Sequence, residues 1–255
     1  MLEEHSGNNG GRSSAFIYFT YDRKFIIKTL KREEMKVLLA AQRDFNAHYS
    51  QCEDGFSYLA KIYGLYTLKD EQRASIHFAV LENIVPMEAD IMAVFDLKGC
   101  TRHRRTLTDS SISDISQLSP EIVYKDLDFN QTIGNLALSP PDSQRLRRQL
   151  GSDVALLERL AVMDYSLLVA IARSDSVSGP RVARTSVAGT VVLVGVIDYL
   201  QQFNWKKKAE LVWKRMSVPR LMVVQTSCVN QHLYARRFLA YIEKALGLPV
   251  VDIGL

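Results

Sequence analysis

"VMDYSLLVAI", residues 162–171, is the stretch on which the reading of the fold turns, because Asp164, Tyr165 and Ser166 interrupt an otherwise hydrocarbon run. An ionised carboxylate is costly in such surroundings unless charges or hydrogen bonds compensate it, so Asp164 has either partners or a chemical use. The run falls at the end of a region, residues 141–172, that reads as mainly helical. That region begins after "SPPDS", where prolines, Asp142 and Ser143 supply helix-start signals.

On the C-terminal side a Ser/Gly/Arg-rich connection, "ARSDSVSGPRVARTSVAG", leads into the strand-like "TVVLVGVIDYL", which also ends its apolar run in an acid, Asp198. On the N-terminal side "LTDSSISDISQLS" reads as a surface loop. Further out, "AFIYFT" and "FIIKT" flank the polar "YDRK" and form a hairpin, and residues 31–47 carry leucines and charges at helical intervals. "KIYGLYTL", "ASIHFAVLENIVP" and "IMAVFDLKG" add three strands, so five strands and one helix are expected in a small sheet-rich lobe. Residues 203–231 are basic and irregular, and "QHLYARRFLAYIEKAL" is a closing amphipathic helix. No internal repeat is present.

Bulk composition sets the class. With 255 residues and 47% hydrophobic content the chain can bury a sizeable core and is not of the disordered kind. A formal charge of +4 is modest, so the position of the cations matters more than their sum. Three scattered cysteines, without CxxC or His/Cys metal spacing, suit reduced thiols in a cytosolic setting and give no reason to expect zinc. The opening "MLEEHSGNNGGRSS" is unlike a signal peptide, and the longest apolar run is too short to cross a bilayer, so any membrane contact is expected to be peripheral. The basic groups cluster in loops without a recognised nucleic-acid-binding pattern, and no nucleic acid is expected as a partner.

Lys28, Asp164 and Asp198 each follow directly on a strongly apolar segment. Phosphoryl transfer from ATP needs parts of these kinds: a cation on the donor phosphates, a carboxylate for Mg²⁺, and a second carboxylate beside the acceptor hydroxyl. A Gly-rich hairpin ahead of the lysine, "SGNNGGRSS" with Gly10 and Gly11, would add backbone N–H groups for the phosphates. Singly, each is more often a solvated or turn residue. Their order, with the hinge-like "ENIVP" between them, favours a nucleotide site.

The ordered set "YDRKFIIKT", "KIYGLY", "FDLKGCTRHRR", "YKDLDF", "MDYSLLVAI", "GVIDYLQQFNWKKKAELVWKRM" and "VNQHLYARRF" resembles the catalytic domain of the phosphatidylinositol phosphate kinases over nearly the whole chain. The resemblance implies an α+β, two-lobed kinase-like fold, a single lipid-kinase catalytic domain with a truncated N-terminal lobe at 1–84 and a C-terminal lobe at 85–255 carrying an activation loop at about 203–231. It implies ATP and Mg²⁺ as cofactors and phosphatidylinositol 4-phosphate, in an anionic membrane, as the substrate. The implied location is the cytosolic face of membranes.

Residue by residue, the resemblance puts Lys28 on the ATP phosphates, oriented by Glu34 or its neighbour Glu33. Gly10, Gly11, Val85 and Leu167 fall among the nucleotide-binding positions. Asp96 and Lys98 fall beside the transferring phosphoryl group, Asp164 beside the inositol hydroxyl as the catalytic carboxylate, and Asp198 on Mg²⁺. Arg104 matches an arginine on the lipid phosphate. Lys207 and Lys208 match the paired lysines of the activation loop, and Glu210 matches the glutamate that marks the 5-kinases of the 4-phosphate, where the 4-kinases of the 5-phosphate have alanine. Cys100 replaces the usual serine of this motif, and Glu82 stands where asparagine is frequent. The upstream segment that usually completes the small lobe and its dimer contact is not matched, which leaves dimerisation open. A membrane-docking module of the same fold without turnover is the alternative from a different class.

Overall fold

The computed structural model describes residues 3–4, 15–70, 73–199, 201–202 and 230–247. Two five-stranded sheets and four helices carry the described residues. The expected hairpin is present: β2 (Ile17–Phe19) and β3 (Phe25–Leu30) pair antiparallel across the turn at Thr20, whose hydroxyl binds Asp22 at 2.7 Å. With β1 (Glu3–Glu4), β4 (Ile62–Asp70) and β5 (Arg73–Glu82) they form the first sheet in the order β1-β2-β3-β5-β4.

Helix α1 (Arg32–Gln51) runs one turn beyond the expected end at 47 and buries Met35, Leu38, Ala41, Phe45 and His48 on one face. These positions follow the helical repeat, which is why the element is legible from its leucines.

The first sheet has the five strands expected of the small lobe, but β1 is among them and the fifth expected strand is not, so that expectation is corrected in one member. The fifth, β6 (Ile91–Leu97), belongs to the second sheet, whose order is β10-β11-β9-β6-β7, with β7 Val123–Lys125, β9 Ser166–Arg173, β10 Val182–Arg184 and β11 Thr190–Ile197. Pro86 and the hinge after β5 carry the chain away from the first sheet, and β6 finds its partner in β9. A short pair, β8 (Val162–Met163) and β12 (Gln201–Gln202), stands apart.

A second correction concerns the opening stretch. Helix α3 (Pro140–Arg159) ends before it, and residues 166–173 are the central strand β9, flanked on both sides by antiparallel neighbours. Both faces of β9 are buried: Leu167, Val169 and Ile171 enter the main core, while Ala170, Ala172 and the half-buried Leu168 enter a second cluster on the opposite face. A run that is apolar on both faces shows neither the strand nor the helix period, so the sequence pattern alone does not separate the two.

Helix α2 (Asp126–Thr132) follows β7, and α4 (Gln231–Ala245) packs on α3 as the closing amphipathic helix. Asp153 of α3, fully buried, ties α3 to α1. Its Oδ1 accepts from Ser57 (2.8 Å) and Gln149 (2.9 Å) and lies 2.7 Å from His48 Nε2, while Oδ2 accepts the Tyr58 N–H at 2.8 Å. His48, Cys52 and Asp153 thereby bring ligating atoms within 4.8 Å of one another, a grouping that linear spacing does not show. Gln149 also donates to Cys52 Sγ at 3.1 Å, so the cluster is closed by hydrogen bonds.

The two sheets meet at the hinge. Ile84 is buried against Gly195 of β11, where an added Cβ would stand 2.6 Å from Ile84 Cδ1. Residues 58–60 also run alongside the end of β11, with Val196 N–H donating to Tyr58 (2.7 Å) and Ala60 N–H to Val196 (2.9 Å).

Candidate active site

Strand register gathers the acids that the sequence scatters. Because β9 runs antiparallel to both β6 and β11, its first residues lie beside the last residues of both: Leu167 pairs with Leu97, and Ser166 with Ile197. Asp96 and Lys98 at the end of β6, Asp164 just before β9 and Asp198 just after β11 therefore share one end of the second sheet. Asp164 and Asp198 both have left-handed backbone, φ 69° and 60°. Among non-glycine residues, Asp and Asn tolerate that conformation best, and such outliers concentrate at functional sites. Asp164 breaks the hydrocarbon run because the chain turns there between β8 and β9.

Lys28 approaches from the first sheet. Its ammonium is ion-paired with Asp198, an arrangement that spans the two sheets; the lysine side chain is 14% exposed and the aspartate 47%. Glu34 does not orient Lys28. It reaches back to the Lys31 N–H at 2.8 Å and closes the first turn of α1, so that expectation is corrected: a carboxylate at this helix position satisfies an otherwise unpaired backbone donor.

Lys98 stands over the catalytic candidate. Its Nζ donates to the Asp164 carbonyl at 2.8 Å and lies 3.8 Å from the Asp164 carboxylate.

Arg104, expected on a lipid phosphate, is instead bound within the protein. Nε donates to Asp126 at 2.7 Å, and Nη2 donates to the Asp96 carboxylate at 3.0 Å and to its carbonyl. Burial opposes its charge, but Asp96 and Asp126 outweigh burial and hold the guanidinium above its ordinary pKa. Arg102, His103 and Arg105 beside it are exposed.

Asp126 is the residue that sequence reading missed. Fully buried, it receives three backbone N–H groups on Oδ1, from Lys98 (3.0 Å), Gly99 (2.7 Å) and Cys100 (3.3 Å), and Arg104 on Oδ2. Two residues on, the equally buried Asp128 accepts from the N–H groups of Thr106 (2.8 Å), Leu107 (3.0 Å) and Lys125 (2.9 Å). These two acids shape the 98–107 loop and fix where Lys98 starts. Its signal in the sequence is an Asp-x-Asp at the start of a helix, within "YKDLDF". Cys100 N–H serves the same nest; its thiol is buried, and burial followed by the Asp126 charge pushes its pKa up.

Gly99 is required twice over. Its φ is +67°, and an added Cβ would meet the Arg237 carbonyl at 3.1 Å and the Phe238 Cα at 3.2 Å on α4. Gly99→Ala is expected to lower stability by about 1–3 kcal/mol, visible in a urea unfolding midpoint.

Of the nucleotide candidates, Val85 lies half-buried beside Val94, Ala170 and Leu168 on the hinge-side face of the second sheet, an apolar slot of the kind that takes a flat heterocycle. Leu167 is not in that slot. The alternation along β9 turns it into the main core with no exposure, and Leu168 takes the hinge side. Gly10, Gly11, Lys207, Lys208 and Glu210 lie outside the described residues.

Two sheets joined by a hinge, with a lysine of one facing acids at the strand ends of the other, define the class of kinase-like α+β folds. The model of the phosphatidylinositol-4-phosphate 5-kinase family matches residues 2–186 and 173–245, and the chain belongs to that family. It is 34% identical over 161 residues to the phosphatidylinositol 4-phosphate 5-kinase its3 of Schizosaccharomyces pombe, covering 63% of this chain and 21% of that protein. It is 33% identical over 191 residues to phosphatidylinositol 4-phosphate 5-kinase 1 of Arabidopsis thaliana (75% and 24%). It is also 29% identical over 254 residues to the 1-phosphatidylinositol 3-phosphate 5-kinase of Mus musculus (92% and 11%). The chain thus spans about a fifth of the length of the first curated relatives it matches, 21% in each.

Proposed function

We propose that the chain transfers the γ-phosphoryl group of ATP to the 5-hydroxyl of phosphatidylinositol 4-phosphate at an anionic membrane surface. The observation that carries this reading is the Lys28–Asp198 ion pair across the two sheets, with Asp164 on the same strand ends. The names of the relatives, all acting at the 5-position in those quoted above, support the acceptor hydroxyl.

In this reading Lys28 neutralises donor phosphate oxygens, and the Val85–Leu168 slot takes the adenine. Asp164 accepts or orients the proton of the 5-hydroxyl as its oxygen attacks the γ-phosphorus and ADP leaves. Lys98, held at Asp164, adds positive charge where the phosphoryl oxygens develop negative charge. Asp198 offers a hard carboxylate oxygen, the donor type Mg²⁺ prefers, and would hold that ion, which supplies charge neutralisation on the phosphates. No helix among the described residues is long and apolar enough to cross a membrane. Peripheral attachment on the cytosolic face by Lys206, Lys207 and Lys208 with Trp205 and Trp213 fits this substrate, each cation contributing about 1 kcal/mol near anionic lipid.

The test is transfer from radiolabelled ATP to vesicles containing phosphatidylinositol 4-phosphate, 3-phosphate or 5-phosphate. Preference for the 4-phosphate is the expected result. Preference for the 3-phosphate is the second reading, favoured by the similarity to the mouse enzyme over 92% of this chain. Vesicle binding without turnover would mark a docking module. Glu210→Ala is expected to move preference toward the 5-phosphate isomer, and an unchanged preference in the same assay would remove Glu210 from substrate choice.

A further inference from the structure

Arg181 lies in the connection between β9 and β11 and is 7% exposed. Its guanidinium forks onto Glu82, Nε to Oε1 at 2.8 Å and Nη2 to Oε2 at 2.6 Å. It also donates to the carbonyls of Tyr58 (3.0 Å) and Leu59 (3.0 Å), and sits 5.4 Å from the Phe56 ring centroid. Val194 of β11 returns its N–H to the Arg181 carbonyl at 3.0 Å. One buried cation therefore touches the last residue of β5, the link from α1 to β4, and β11.

The connections lead to both halves of the candidate site. Glu82 pairs with Phe25 at the start of β3, the strand that carries Lys28, and the hinge leaves the first sheet directly after it. Val194 stands on the strand that ends at Asp198. A buried ion pair is a weak device for stability, since an apolar pair of like volume serves as well, but a bidentate fork permits essentially one mutual orientation. Burial pushes the Glu82 pKa up, but the hydrogen bonds and charge of Arg181, joined by the Lys61 N–H on Oε2 at 3.0 Å and the Lys61 charge, outweigh that and leave it below the usual carboxylate value.

We infer that Arg181 is a positioning residue which, through Glu82, fixes the angle between the two sheets and so brings Lys28 to Asp198 around the nucleotide. The inference rests on reading the cleft as an ATP site.

Glu82→Gln and Arg181→Lys in the full chain test it, with kcat, the KM for ATP, the KM for lipid and equilibrium binding of a fluorescent ATP analogue as readouts. The expected result is an ATP KM and an analogue Kd raised about tenfold, with the lipid KM unchanged, because a misplaced Lys28 weakens donor binding alone. The double variant should be no worse than the worse single one, since both remove the same link. A merely structural role lowers the active fraction, reducing kcat at unchanged ATP KM, and that outcome overturns the inference. Glu82→Gln is nearly isosteric and carries the test if Arg181→Lys does not fold. A wild-type chain that binds no analogue overturns the ATP reading and this inference together. Wild-type affinity in both variants overturns this inference alone.

Discussion

Asp164→Asn is expected to leave nucleotide binding intact and to reduce phosphoryl transfer by about 10²–10⁴-fold, the usual contribution of a positioned general base. The variant is informative because asparagine, like aspartate, tolerates the left-handed backbone found at φ 69°, so the turn between β8 and β9 survives. Lys98 keeps its bond to the carbonyl of residue 164, which the substitution does not touch. What is lost, in the proposed reaction, is the negative charge that would face the acceptor hydroxyl. Single-turnover transfer compared with equilibrium binding of an ATP analogue separates the two effects.

Asp126→Asn is expected to cost about 3–5 kcal/mol, because it removes one partner of a buried charge pair. An amide offers one acceptor and one donor where the site presents donors on both sides: three backbone N–H groups at one oxygen and Arg104 Nε at the other. In either flip an N–H faces an N–H, and the Arg104 guanidinium keeps only Asp96 as an anionic partner. Denaturant unfolding measures the loss; a change under about 1 kcal/mol would mean that the nest is not what holds the 98–100 loop. Turnover should fall as well, since Lys98 loses its anchor.

The legible parts of the fold were α1 and α4, whose single buried face leaves a helical period in the sequence, and the β2–β3 hairpin, whose two apolar runs flank a polar turn. Strand β9 was misread as the end of a helix because both of its faces are buried, and β6 was placed in the wrong sheet because its partner, β9, comes about seventy residues later and had not been recognised as a strand. The site divides in the same way. Lys28, Asp164 and Asp198 stood out as charges closing apolar runs, and the register brings the two acids to one sheet end with Lys28 paired to Asp198. Arg104 and Glu34 were named from resemblance, but their partners, Asp126 and the Lys31 N–H, are contacts that no local pattern announces. Asp126 and Arg181 escaped notice for a related reason: a charged residue in a loop or at a helix start reads as solvated until the burial around it is known.

The convergence of Lys28 and Asp198 on ATP is tested most directly by measuring label transfer from radiolabelled ATP to phosphatidylinositol 4-phosphate vesicles with Lys28→Met and Asp198→Asn, each checked for a wild-type melting temperature. Asn again suits the left-handed backbone at residue 198. Turnover by wild type and a loss of about 100-fold or more in each folded variant is the result expected of groups that bind the transferring phosphate. Wild-type rates in either folded variant would show that the ion pair between the sheets is structural and that phosphate is held elsewhere.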